Sequence, residues 1–125
     1  MQVYNIEKLG DFADFNNHFV KTWFLRLWRI LQSFITVQSK TADYTAQIDD
    51  RVVLADATSA QVTVTIPDAT TVRGKWISVK KVDSSGNNVV ISPTVGNVDG
   101  AATATITTQY TSRTMISDGS NWWII

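Results

Sequence analysis

One chain carries two incompatible hydrophobic periods, and the change between them near residue 40 limits what it can fold into. Eight of the thirteen aromatic residues, including every Phe, lie in the first 34 positions. Fourteen of the sixteen threonines follow residue 40. The first segment repeats its apolar residues at helical spacing, and the second alternates them at the two-residue period of a strand. Helix-period and strand-period segments cannot share one regular element, so the expected division is 1–40, an arm with an anchoring helix, and 41–125, a β module.

Asp11 follows Gly10 and opens the helical stretch as an N-cap, with Asp14 in the third helical position of a variant capping box. From there to Val37 the chain has no Gly or Pro, so a helix is expected over about 11–37. At about 100° per residue, Phe12, Phe19, Val20, Trp23, Phe24, Leu27, Trp28, Ile30, Leu31, Phe34 and Ile35 fall in one half-turn. His18, Lys21, Arg26 and Arg29 fall in the other, with Phe15 and Leu25 as intruders. Such an arc is wider than the narrow seam of a two-stranded coiled coil and needs more than one surface to bury against. Packing on the chain's own β module, packing against sister helices and a larger scaffold, and lying in the plane of a membrane all remain open. The second supplies two surfaces and is the expectation, with Phe19, Trp23, Phe24, Leu27, Trp28, Leu31 and Phe34 as candidate contacts. The lead-in Val3-Tyr4-Asn5-Ile6 alternates and reads as an added strand or arm.

Beyond Thr41, period two predicts about eight short strands. Tyr44–Ile48, Arg51–Ala55, Gln61–Ile66 and Lys75–Val82 come first. Val89–Ser92 is read as the hairpin partner of Lys75–Val82 across the polar turn Asp83–Asn88. Ala102–Ile106 follows, and Thr111–Ser117 and Asn121–Ile125 form a terminal hairpin across Asp118-Gly119-Ser120. Short strands at about ten-residue spacing predict a compact antiparallel β-sandwich or barrel-like module. Its last strand, Trp122-Trp123-Ile124-Ile125, is bulky on both faces. One face can line a core; the other needs a second apolar surface, because large exposed patches are rare on monomers. Trp76, Trp122, Trp123 and Ile125 are therefore the candidate subunit contacts.

Composition narrows the function. An apolar content of 44% argues against global disorder. The formal net charge is zero, +2 over residues 1–40 and −2 over 41–125, so no basic field draws the chain to nucleic acid. Without Cys and with His18 as the single His, neither a thiolate nor a transition-metal set is supported. Asp49-Asp50 and Asp83–Asn88 read as turns rather than as an acid–base pair or a calcium loop. No catalytic residue, metal or cofactor is expected. The chain lacks a signal-peptide pattern, and Trp23–Ile30 is broken by Arg26 and Arg29, far short of the ~20 apolar residues of a membrane span. A membrane is not the expected partner.

From Tyr44 to the C-terminus the chain resembles a family of bacteriophage fibre, head-decoration and baseplate modules. The resemblance is carried by the order of several phrases: Asp49-Asp50-Arg51-Val52-Val53-Leu54-Ala55-Asp56, Val62-Thr63-Val64-Thr65-Ile66-Pro67, Gly74-Lys75-Trp76-Ile77-Ser78-Val79-Lys80-Lys81, Asn88-Val89-Val90-Ile91-Ser92-Pro93, Val98-Asp99-Gly100 and Ser117-Asp118-Gly119-Ser120-Asn121-Trp122-Trp123-Ile124-Ile125. It implies a non-enzymatic, homotrimeric β structure on a virion. The helix lies outside it. With about 40 residues before the module, a trimeric capsid decoration (cement) protein or short head fibre is expected on the capsid surface, its partner a major capsid protein or another virion protein. The alternative is a tail-fibre or baseplate tip that binds a host-surface glycan.

Overall fold

In a computed structural model, residues 20–33 and 36–125 are described, residues 31–33 by their backbone. The chain falls into two units, Met1–Ser33 and Phe34–Ile125. The first is described by one helix, α1 (Lys21–Ser33). The expected cap at Asp11, the residues Phe12, Phe15, His18 and Phe19, and the Val3–Ile6 arm lie outside the described residues, as does Phe34.

The helix stops short of the expected Val37. Thr36 and Val37 instead open β1 (Thr36–Lys40), so the β unit begins before residue 41. Both are β-branched, which restricts χ1 in a helix and suits a strand. The Thr36 hydroxyl also donates to the Asp49 carbonyl at 2.7 Å and to Asp50 Oδ1 at 3.1 Å. Long-range pairing therefore takes over the end of the helical pattern.

The β unit has nine strands in two sheets, so the described residues are mainly β with one short α-helix. After β1 come β2 (Tyr44–Thr45), β3 (Asp50–Ala55), β4 (Val62–Ile66), β5 (Trp76–Lys81), β6 (Val89–Pro93), β7 (Ala104–Ile106), β8 (Ser112–Ser117) and β9 (Trp122–Ile124). A 3₁₀ turn, Ala69–Thr71, is capped by Asp68, whose side chain accepts from the Thr70 N–H. The five-stranded sheet runs β1-β3-β5-β8-β9 and the four-stranded sheet β2-β4-β6-β7.

The expected antiparallel module is corrected by the pairing. From β1 to β6 each successive strand enters the other sheet. Strands β1, β3 and β5 therefore pair in parallel, as do β2, β4 and β6. Antiparallel pairs appear only towards the end, at β6–β7, β5–β8 and β8–β9. The chain winds three turns as a coil and then closes each sheet with antiparallel strands. In particular, β6 is not the hairpin partner of β5.

Period two nevertheless decides the core. Val62, Val64 and Ile66 of β4 and Val89 and Ile91 of β6 are buried, as are Val53 and Ala55 of β3 and Ile77 and Val79 of β5. Ile106, Met115 and Trp122 join them in one apolar cluster fed by both sheets. Alternate residues of each strand point away from it.

Polar residues hold the corners where the chain changes sheet. The Asp56 N–H donates to the Lys40 carbonyl at 2.8 Å, and the Val82 N–H to the Ala55 carbonyl at 2.9 Å, so successive corners stack. At this corner Lys81 Nζ lies 2.6 Å from Asp83 Oδ2, and both side chains are buried. Asp83 also accepts from the Ala57 N–H at 2.8 Å, the Ser85 N–H at 2.9 Å and the Ser85 hydroxyl. The Asp83–Asn88 segment is therefore a crossover tied to the previous turn of the coil, not a hairpin.

A second corner is organised by Asp50 and Lys75. Asp50, 1% exposed, accepts from the Tyr44 hydroxyl at 2.6 Å and the Gln47 N–H at 2.7 Å. Burial raises its pKa, but the hydrogen bonds led by Tyr44 outweigh burial and hold the carboxyl below its ordinary value. Asp49 is the turn residue; Asp50 is a buried hub, a role the sequence reading of the pair did not give it. Lys75 Nζ donates to the Ile48 and Asp50 carbonyls at 2.5 and 2.8 Å.

These two groups set an alkaline signature. Burial, then the nearby Arg51 charge, pushes Lys75 down to about 8 from 10.5. Burial, then its bond to Asp50, pushes Tyr44 up to about 12 from 10.0. Between about pH 8 and 10.5 the unfolded chain holds more protons at Lys75, so stability rises with pH. From pH 10.0 towards 12 the unfolded chain loses the Tyr44 proton first, so that contribution falls. Thermal melts across this range should show Lys75→Met removing the rise and Tyr44→Phe removing the fall.

Candidate interaction surface

The outward positions of the five-stranded sheet form rows fixed by its register. Trp76 pairs with Ile116, and Ile116 with Trp123, so three strands place two indoles and an isoleucine in one row. The next row crosses the whole sheet. Val37 pairs with Val52, Val52 with Ser78, and Ser78 with Thr114, whose carbonyl accepts from the Ile125 N–H at 2.9 Å. In a third row Ser39 pairs with Leu54, Leu54 with Lys80, and Lys80 with Ser112. Lys80 is the single charged residue in these rows.

Much of this apolar surface is open in the single chain. Val37, Trp76, Trp123 and Ile125 are 56%, 41%, 45% and 74% exposed. Ile116, Val52 and Leu54 are half-buried between them.

Both indoles are held by their own chain. The Trp123 Nε1–H donates to Asp118 Oδ2 at 2.7 Å. Asp118 Oδ1 also accepts the Ser120 and Asn121 N–H groups, each at 2.8 Å, so the turn that joins β8 to β9 fixes the ring. These bonds, led by that to the Asn121 backbone, hold the Asp118 carboxyl below its ordinary value. The Arg51 guanidinium lies 5.6 Å from the centre of the Trp76 ring, within cation–π range. Ser78 and Thr114 close the gap in the second row with a hydroxyl–hydroxyl bond of 2.9 Å.

The sheet edge beside this surface is covered. The Trp122 N–H donates to the Asn97 carbonyl, the Asp99 N–H to the Trp122 carbonyl, and the Ile124 N–H to Asp99 Oδ1. Gly96 lets this covering segment approach, since a Cβ there would lie 2.7 Å from the Ser120 carbonyl oxygen, and its φ is +97°. At the β9 edge the open area is thus a face made of side chains, rather than a row of backbone groups awaiting another strand.

The four β-module candidates separate accordingly. Trp76, Trp123 and Ile125 lie on the outward face. Trp122 does not: it is fully buried, and its Nε1–H donates to the Pro67 carbonyl at 3.0 Å. Trp122 is a core residue of the single chain, so it is removed from the subunit contacts. Sequence reasoning missed Ile116, Val37, Val52 and Leu54. A register for the β8–β9 hairpin would have found Ile116, because the Asp118–Ser120 turn sets it opposite Trp123. The parallel neighbours of Val37 carried no comparable local signal.

The helix candidates are also open. Trp23, Phe24, Leu27 and Trp28 of α1 are 55%, 57%, 37% and 51% exposed. Leu31 belongs to the same helix, while Phe19 and Phe34 fall outside the described residues.

Among the described residues no group of three or more His, Cys, Asp or Glu is placed to hold a metal ion. Among them, too, no helix is long and apolar enough to cross a membrane. The outward face of the sheet is a preoriented aromatic and aliphatic surface, with Lys80 in its rows and Arg51 and Asp118 against its indoles. No protein-family model and no curated protein matches the chain.

Proposed function

We propose that the protein is a non-enzymatic structural protein of a phage virion, a trimeric capsid decoration protein or short head fibre held through its N-terminal region. In this reading the β unit is a two-layered, sandwich-like head. The outward face of its five-stranded sheet is covered by sister subunits, and the N-terminal region attaches the assembly to capsid protein. The observation that supports association most directly is the row Trp76–Ile116–Trp123, flanked by Val37, Val52 and Ile125. Aromatic side chains and an arginine set among aliphatic residues are the composition of an interface centre, and here Arg51 lies against Trp76. The virion assignment adds to this the ordered phrases from Tyr44 to Ile125.

The test joins mass to attachment. Purified protein is expected to be a trimer by light scattering and to bind capsid shells that lack it. A monomer that ignores such shells removes the reading.

A further inference from the structure

Helix α1 offers a second surface whose chemistry is different. Its thirteen residues contain Lys21, Arg26 and Arg29 and no Asp or Glu, a formal charge of +3. The acidic residues Asp11 and Asp14, part of the helix expected from sequence, lie before it. At about 100° per residue, Ile30, Trp23, Leu27, Phe24 and Trp28 follow one another round an arc of about 160°. The two Trp residues fall towards opposite borders of that arc, with Leu27 and Phe24 between them. Lys21 lies just outside the Trp28 border and Arg26 just outside the other, beyond Ile30. Arg29 occupies the polar side, with Leu25 as its apolar intruder. Every residue from Lys21 to Ile30 is exposed.

This order matches the depth profile of a lipid interface. Hydrocarbon takes the middle of the arc, the headgroup boundary takes indoles, and lipid phosphates take cations whose stems run along the apolar surface. Copies of α1 packed together would bring cations to both sides of each seam with no carboxylate in the helix to pair them. Among the described residues no helix is long and apolar enough to cross a membrane, and the arc of α1 suits a helix that lies along one.

We propose that, in the free protein, α1 lies in the plane of an anionic lipid surface. The inference goes beyond the virion reading and concerns the chain before it is fixed in a particle. It rests on the helix alone, so its failure would leave the case from the sheet face standing.

The test is co-sedimentation of the full chain with phosphatidylcholine vesicles, with and without phosphatidylglycerol. Binding is expected on the anionic vesicles and should weaken as salt is raised. Each cation near the surface contributes about fivefold in affinity, so Arg26→Gln with Arg29→Gln should weaken binding roughly 25-fold. Melting of the β unit should be unchanged. Absent binding, equal binding to both vesicle types, or undiminished binding by the double variant would overturn the proposal. So would self-association through α1 that leaves the vesicles empty.

Discussion

Asp83→Ala is expected to destabilise the β unit by about 3–5 kcal/mol, the usual cost of leaving one partner of a buried ion pair alone. Lys81 is fully buried, and its ammonium would lose the carboxylate 2.6 Å away. The Ala57 and Ser85 N–H groups would lose their acceptor as well. Natural domains have about 5–15 kcal/mol in total, so the loss should be visible as a large drop in the urea midpoint. A control separates the charge from the loop. Lys81→Met combined with Asp83→Ala should recover part of the loss, because an apolar replacement removes the stranded cation. Acid should reproduce the defect. Burial opposes ionisation of Asp83, but its bonds, led by Lys81, outweigh burial and hold the carboxyl well below the ordinary value of 3.8. Its contribution is therefore present above that value and is lost as pH falls through the folded-state pKa.

Trp122→Ala should cost about 3–5 kcal/mol, as expected for removal of a large aromatic side chain from a packed core. The indole is fully buried among residues from both sheets, and its loss also strands the Pro67 carbonyl. The neighbouring substitution supplies the contrast. Trp123→Ala removes a half-exposed ring and one exposed bond to Asp118, so the single chain should lose no more than about 1 kcal/mol. Urea unfolding of both variants under matched conditions checks the difference. Equal losses at dilutions where both variants are monomeric would show that the ring assigned to the outward face is part of the core.

Strand existence was legible in the sequence because alternation reports burial directly. Val62–Ile66 reads as a half-buried strand, and the structure buries the three apolar residues that alternate along it. The β8–β9 hairpin was equally plain, since a three-residue polar turn joins two alternating runs. Strand partners were not legible. A polar loop that crosses between sheets has the same Asp, Ser, Gly and Asn content as one that closes a hairpin. Long-range bonds distinguish them: the Ala57 N–H donates to Asp83, and the Ala57 carbonyl accepts from the Ser85 hydroxyl and the Asn87 side-chain amide. For the same reason Asp50 and Asp83, which look like turn residues, were not foreseen as buried hubs.

The candidate surface was partly legible. A strand that is bulky on both sides must present one side outward, and the sequence offered Trp122, Trp123 and Ile125 together as candidates for that role. It did not decide that Trp122 lies wholly within the core; the pairing of Ser117 with Trp122 beside the buried Ser117 does so. Val37 and Val52 come from earlier turns of the coil, and their place beside Ser78 and Thr114 depends on parallel register. The helix end was misplaced for a related reason, because the tertiary bonds of Thr36 override a continuous apolar period.

The most direct test of the central claim is the solution mass of the β unit's wild-type and outward-face forms, measured by light scattering on the full chain. Wild-type protein should be trimeric. Trp76→Ser with Trp123→Ser should be monomeric, with the buried core retained as judged by near-ultraviolet circular dichroism. A monomeric wild type, or a trimer that survives the double substitution, would contradict the assignment of the five-stranded sheet's outward face as the subunit interface.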